Sequence, residues 1–510
     1  MITNGKNITT RQKTQVCVIG SGPAGITAAW QLSAAGYDVI LLDGSRQLDY
    51  AVNSYYKKSW PDKVKLYNGV ADGVFAENEP QFLIRPYNGD SNFPTERERV
   101  YGGTSTHWGG QSRPLDSIDF EKRPGSPTCP DFPGFPGWPI SRSDLDPFYA
   151  KAVSFNNLVG DYGTNGTNFT AEYWVNQMQQ QGLQAAVPQL KNFDADMYQF
   201  MGSQWLNFAT RTFDGMSTIG DSNVRVIVNA TVLNIVEQNG SVQYLNVASM
   251  NDDPTNPQKE TEFTVQASVY ILACGSVENA RQLLLSGVGN KFVGRYFMCH
   301  PLTSDGVIST NQSYLSPAQS NLMGGTGWNP QPGTIQNFQG RFTVNSQTAR
   351  SLGIGRCWFW ANDARSSAQM YMEMAPNFNS YVGLTTTVDP VFGQQQTHIH
   401  WELSDQDKVT YETNCNLFQQ ATNNSISFPD WDNLAEQWVV NGHHIGTTRM
   451  SASASDGAVD KNLKMYGVDN LYVAGASVFP TTGVSNPTMT IVTLSLRLAD
   501  YLKTSADLKT

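Results

Sequence analysis

Charge is scarce in this sequence, and positive charge is the scarcer sign. Only 15% of the 510 residues are Asp, Glu, Lys or Arg, and 34 basic against 44 acidic side chains leave a net charge of −10. That balance argues against non-specific binding of nucleic acid or of an anionic membrane surface, and no basic run stands out as an exception. Cysteine is sparse and scattered: Cys17, Cys129, Cys274, Cys299, Cys357 and Cys415 include no C-x-x-C pair. A zinc ribbon, a dithiol reductase and an iron–sulfur ligand set are thereby set aside, and no metal is expected. No apolar stretch is long enough to span a bilayer, and the polar residues 1–15 lack the apolar core of a signal peptide. The expectation is a soluble, cytoplasmic protein. No internal repeat is visible. With 40% hydrophobic residues, the chain has the composition and the length to bury two connected domains.

The clearest local pattern lies near the start. Val16-Cys-Val-Ile19 reads as a buried parallel strand, and Gly20-Ser21-Gly22-Pro23-Ala24-Gly25 follows it. Residues 26–35 then read as a helix closed by Gly36, and Val39-Ile-Leu-Leu42 as a second buried strand ending on Asp43. In such a βαβ unit the first glycine allows the tight turn, the second lets backbone approach a pyrophosphate, and the third lets helix and strand pack. The helix N-terminus presents N–H groups and its positive dipole end to phosphate. Asp43 stands 23 positions after Gly20, where a carboxylate can accept hydrogen bonds from a ribose diol. This combination specifies a dinucleotide without distinguishing FAD from NAD.

Further buried-strand signals are Val224 to Val232, Tyr270 to Cys274 (followed by a helix over about 278–285) and Leu471 to Ala474 (followed by a helix over about 487–502). Residues 303–439 are rich in Asn, Gln, Gly, Thr and aromatics and read as a separate, mostly β substrate domain. Residues 310–334 read as a long loop suited to a lid. The expected fold is α/β (α+β overall), a Rossmann-type FAD-binding domain with a mostly β substrate-binding domain. The expected segments are 1–135, 205–302 and 440–510 for the cofactor domain, 136–204 as a connecting and substrate-domain segment, and 303–439 for the substrate domain.

With Tyr101-Gly-Gly-Thr-Ser-Thr-His-Trp-Gly-Gly110, Trp138-Pro-Ile140, residues 269–287, Val293 to Pro301, Gly442 to Met450 and Asn470 to Thr488, the sequence resembles the glucose–methanol–choline oxidoreductases. Several motifs in order carry the resemblance across both ends and the middle; the central domain has no such match. The resemblance implies FAD, with Gly20, Ser21, Gly22, Ala24, Gly25, Asp43, Gly103, Thr104, Thr106, His107, Val232, Ala273, Gly475, Pro487 and Thr488 around it. Ser105-Thr-His-Trp108 is most similar to the pyranose oxidases, whose matching histidine is bonded to the flavin. His107 is then either the attachment point or a residue packed against the isoalloxazine.

Alcohol oxidation needs a base for the hydroxyl proton, and histidine titrates near working pH. In the family the active histidine lies seven positions before the Met of H-x-x-G-T-x-x-M, which here is His443. Its neighbour His444 points to the opposite face of an extended segment and has a structural role. Asn486 is the second catalytic candidate, expected also to cap the helix that Pro487 begins. His398 and His400 have a metal-like spacing, but no nearby Cys or acidic pair completes a site, so packing is the expectation. Trp328, Trp358, Trp360 and Trp401 suit either sugar stacking or ordinary core. The expected function is oxidation of a sugar or glycoside ring hydroxyl to a ketone, with oxygen or another acceptor reoxidising the flavin. The alternatives are a non-sugar alcohol such as an aminocyclitol, a sterol or a choline-like amine, a flavin monooxygenase or reductase, and a non-catalytic FAD-binding protein. Oligomeric state is left open.

Overall fold

The glycine loop sits where a run of parallel strands ends. The computed structural model describes residues 2–45, 82–85, 101–106, 108–201, 208, 223–251, 258–308, 314–324, 338–361, 367–434 and 442–508. In the first sheet β2 (Gln12–Ile19) lies parallel to β3 (Val39–Leu42), and β7 (Arg225–Val228) and β1 (Ile2–Asn4) extend it outward. On the other side of β2 lies β10 (Lys259–Leu272), also parallel. The end of β10 pairs with β18 (Leu471–Val473), and its start pairs with β9 (Ser241–Met250), which turns back to β8 (Thr231–Gln238). Val16, Cys17, Val18 and Val39 to Leu41 are completely buried, as strands covered on both faces must be. One cover comes from α1 (Pro23–Ala34), packed on the C-terminal helix, itself packed on α2 (Arg142–Phe155).

Sequence and structure differ at four of these elements; α1 begins at Pro23, three residues before the expected start. Residues 224–232 form two strands rather than one, because Asn229 turns into the left-handed region (φ 51°) between them. Its side chain replaces the missing ladder, donating to the Met250 carbonyl (2.7 Å) and accepting from the Met250 N–H (2.8 Å). The middle helix α3 (Gly275–Ser286) begins three residues before the expected start. Within residues 310–334, Pro317–Gly324 is a helix (α4) rather than loop; most of the rest of that stretch lies outside the described residues.

A second sheet is antiparallel throughout, in the order β17 (Ile426–Ser427), β11 (Leu302–Ile308), β14 (Ser367–Met372), β13 (Cys357–Trp360), β12 (Phe338–Val344), β6 (Phe193–Phe200) and β5 (Gln111–Ser112). Its edge strand β5 comes from the N-terminal segment, so residues 1–135 supply both sheets. A third sheet joins β15 (Tyr381–Val388), β16 (Gln395–His400) and β4 (Phe82–Arg85). Helix α5 (Asp405–Ala421) starts on a capping box between Ser404 and Asp407 and lays Phe418 flat on Phe359, ring centroids 4.2 Å apart.

Candidate active site

The cofactor candidates converge on the carboxyl ends of β2, β3, β7, β10 and β18. Gly20 (φ 102°) leaves β2 by a turn in which a Cβ would sit 2.6 Å from the Ala273 carbonyl oxygen. At Gly25 a Cβ would overlap the Gly20 carbonyl oxygen. Around Gly22 and Gly475, by contrast, a Cβ would meet nothing within 4 Å. The chain thus packs tightly behind the loop and leaves open space in front, the shape a dinucleotide needs. Helix α1 has no side-chain cap at its N-terminus, which leaves that end available to phosphate.

Asp43 is tied into this loop. Its carboxylate accepts from the Ser21 hydroxyl, the Ser21 N–H (3.2 Å) and the Ser45 N–H (2.8 Å). The Ser21 hydroxyl oxygen in turn accepts from the Gly102 N–H (2.9 Å), fastening residues 101–106 over the glycine loop. Gly103 consequently lies against Gly22. Val232 is buried just beyond the Asn229 turn, and Ala273 donates its N–H to the Ile19 carbonyl. Thr104 lies in the short helix Gly103–Thr106. His107, the candidate attachment point, lies outside the described residues, as does the side chain of Thr106.

The catalytic candidates meet each other. His443 stands two residues before the Ile445–Met298 backbone pair, and Asn486 ends the loop 481–486 that leads into α6 (Thr488–Thr504). Asn486 Nδ2 is 3.1 Å from His443 Nε2. His443 Nδ1 is 3.0 Å from Nδ1 of His300, whose Nε2 donates to the Gly483 carbonyl at 2.9 Å. One end of this chain assigns every proton. A carbonyl can only accept, so His300 carries its proton on Nε2 and presents a bare Nδ1. His443 therefore donates from Nδ1, and its Nε2 lone pair accepts from the Asn486 amide.

Burial acts in the same direction. It pushes His300 down to about 4, and it holds His443 well below the usual histidine value, with His300 and Arg341 adding to the effect. Both rings are neutral at pH 7. Asn486 does not act as a cap: α6 has no side-chain cap bond, and the Asn486 amide is committed to His443 and to Arg341. Pro487 already has helical dihedrals (φ −72°, ψ −22°), and Thr488 is the first helical residue. His444 faces the other way, buried, 5.6 Å from Phe297, with its carbonyl accepting from the Ser276 hydroxyl.

Three residues that sequence reasoning did not assign join the pair. His300 lies inside the quoted motif Val293 to Pro301, and a histidine in that motif was a readable signal. Tyr371 lies with its ring 6.1 Å from His443. Arg341 carries no local pattern in the sequence and is brought in only by the pairing of β12 with β6 and β13. The tryptophans read as core. Trp358 has Tyr371 stacked on it at 4.1 Å and the Arg341 guanidinium at 3.8 Å, so neither face is open to a sugar. Trp401 is buried against Met374, Trp360 is buried, and Trp328 lies outside the described residues. His398 and His400 flank Tyr381, His400 also pairs with Glu402 (3.0 Å), and no metal-binding group of side chains occurs among the described residues.

Buried ions brace the loop that carries Asn486. Arg356 pairs with Asp119 (2.8 Å) and Asp116 (2.8 Å), Arg113 with Asp116 and Asp196, and Arg123 with Glu373. The Asp119 carbonyl accepts from the Thr481 hydroxyl, and Arg113 donates to Ser485 Oγ. Gly483 lies so close to Asp119 that a Cβ there would sit 2.9 Å from its carboxyl carbon.

Residues 386–495 match the family model described as GMC oxidoreductase, and residues 18–58 match an NAD(P)-binding Rossmann-like domain. The chain is similar to 2-methyl-1,2-propanediol dehydrogenase of Mycolicibacterium austroafricanum, 23% identical across 97% of this chain and 96% of that protein. Its fold is that of pyridoxine 4-oxidase from Mesorbium loti (TM-score 0.58, 14% identity, 96% of this chain and 99% of that one). It is also that of an FAD-dependent oxidoreductase from Chaetomium thermophilum (TM-score 0.57, 15% identity, 96% and 99%). Among the described residues no helix is long and apolar enough to cross a membrane.

Proposed function

We propose that this chain, a GMC oxidoreductase and an FAD-dependent enzyme of the alcohol oxidase or dehydrogenase type, oxidises a secondary alcohol with His443 as the base. The observation that carries the reading is the His443–Asn486 contact, with the lone pair of His443 Nε2 turned to the side that Asn486 shares. When bound, FAD accepts the carbinol hydride. The chain supplies the rest. His443 Nε2 takes the hydroxyl proton, and Asn486 Nδ2 donates a hydrogen bond to the same oxygen as it gains negative charge. His300 receives the Nδ1–H of His443 and so holds the ring in the tautomer that leaves Nε2 bare. Gly20, Ser21, Gly22, Ala24, Gly25 and Asp43 hold the dinucleotide on the glycine loop. Gly103, Thr104, Thr106, Val232, Ala273, Gly475, Pro487 and Thr488 complete its surroundings.

The substrate we favour is a ring hydroxyl of a sugar or glycoside, as the pyranose oxidase-like loop at 105–108 implies. The amides beside Arg341 favour a hydroxyl-rich ligand: Gln111 and Gln339 each accept from its guanidinium, and Gln339 Nε2 is buried with no partner among the described residues. The second reading is a small non-sugar diol, favoured by the relative that matches along nearly the whole chain. Anaerobic mixing with sugars, glycosides and short vicinal diols separates them. Flavin bleaching by the sugars supports the first reading, and bleaching by the diols alone replaces it. Acid precipitation reports on His107: colour in the pellet means a bonded flavin, and a yellow supernatant means a dissociable one.

The depressed pKa of His443 has a kinetic sign. A base works only when unprotonated, so activity is lost as pH falls through its folded value, which lies well below 6.5. A pH profile of kcat/KM is therefore expected to stay level through neutrality and to fall only well under pH 6.5. An acid limb at or above 6.5 contradicts the assignment.

A further inference from the structure

We propose that Arg341 is a positioning residue for the reaction: it fixes which end of the Asn486 amide faces His443. The inference rests on the reading of His443 as the base. Arg341 is 2% exposed and lies on β12 with its guanidinium between two rings, 3.9 Å from the centroid of Tyr198 and 3.8 Å from that of Trp358. The sheet register makes this sandwich. Trp358 stands opposite Thr343 and Tyr371, and Arg341 opposite Asp196, so these side chains share one face with Tyr198. Stacking on both faces holds the guanidinium plane and leaves its edges to hydrogen-bond.

Three hydrogen bonds from those edges go to amide oxygens. NH1 donates to Asn486 Oδ1 (3.3 Å), and NH2 donates to Gln111 Oε1 and to Gln339 Oε1 (3.4 Å). No ion pair to a carboxylate is made by Arg341 among the described residues. A guanidinium has no lone pair to offer, so an amide beside it must present oxygen. Asn486 then has only its NH2 to turn toward His443. The tautomer that the Gly483 carbonyl imposes from one end is thus imposed by Arg341 from the other. Without the guanidinium the amide is free to flip. Its oxygen would then face Nε2 and favour a proton there, on the atom that must be bare to act as base.

The test is a double-mutant cycle on the FAD-loaded enzyme, with anaerobic flavin reduction at saturating alcohol as the rate. Arg341→Met is expected to slow reduction about 10- to 100-fold while KM changes less. In an Asn486→Ala background the same change is expected to alter the rate by less than about twofold, because its target is gone. Equal losses in the two backgrounds, or a wild-type rate in Arg341→Met, overturn the proposal. If Arg341→Met does not retain FAD, Arg341→Lys, which keeps a charged donor without the planar fork, is measured in the same cycle. An intermediate rate with non-additivity supports the proposal, and additivity overturns it. Nitrogen NMR on histidine-labelled holoenzyme gives a readout apart from activity, with six histidines in the chain to resolve. The His443 Nε2 signal is expected to be of the unprotonated type in the wild type and to lose that character in Arg341→Met; an unchanged tautomer overturns the proposal. His443→Ala serves as the control: normal reduction in that variant sinks the base reading, whatever Arg341 does.

Discussion

Replacing His443 by alanine is expected to leave FAD bound and to slow flavin reduction by at least ~10²-fold, the scale of losing a general base. The expectation of intact binding comes from the layout. The glycine loop, Asp43 and residues 101–106 are held by their own bonds at the strand ends and use no atom of His443. The expectation of a large loss comes from the assigned protons. No other side chain in the described chain of contacts offers a lone pair where His443 Nε2 does, since Asn486 presents an N–H and His300 Nδ1 is already taken. Stopped-flow reduction by alcohol, with flavin content measured on the same sample, checks both halves. A variant that reduces its flavin at near wild-type rate removes His443 from the role of base.

The second large effect is on stability. Arg356→Met is expected to lower the free energy of unfolding by about 3–5 kcal/mol, the cost of leaving a buried charge without its partner. Arg356 is 2% exposed, Asp119 is fully buried, and one guanidinium nitrogen reaches both Asp119 and Asp116. Two features make this more than a core substitution. Asp119 holds Thr481 through its carbonyl, and Gly483 lies directly against its carboxyl group. Loosening the ion cluster therefore also loosens the loop that presents Asn486, so a drop in flavin reduction should accompany the lower urea midpoint. The exposed pair Arg350–Glu121 is the control, because at a solvent-screened site the loss is below about 1 kcal/mol. An Arg356→Met midpoint no lower than that of Arg350→Ala contradicts the bracing role of the cluster.

How much of this was legible in the sequence depended on whether the signal was local. The βαβ start, Gly36 after α1 (φ 92°) and the helix beginning beside Pro487 are written in neighbouring residues, and they lie where the pattern placed them. Asn229 escaped because one side chain bonded to a distant backbone broke what reads as a continuous apolar run. The Asn486 capping expectation failed for a similar reason. The local Ser-Asn-Pro order specifies a helix start, but a long-range contact with His443 claims the amide first. His300 was readable as part of a quoted motif, though its role needs the partner that the fold brings to it. Arg341 was not readable at all. Its meaning lies in strand register, which puts Tyr198 and Trp358 around the guanidinium, and in the distant loop that brings Asn486 to it. The tryptophans that suited sugar stacking by composition were resolved the same way, by what covers their faces.

The central claim is that this flavoenzyme takes its electrons from an alcohol. It is tested most directly by mixing oxidised holoenzyme anaerobically with a panel of alcohols and, separately, with NADH and NADPH, while following the visible flavin band. We expect at least one alcohol, with sugars and glycosides first in the series, to bleach the flavin rapidly and the nicotinamides to leave it oxidised. Rapid bleaching by NADH or NADPH with no alcohol present, and none by any alcohol, would contradict the account.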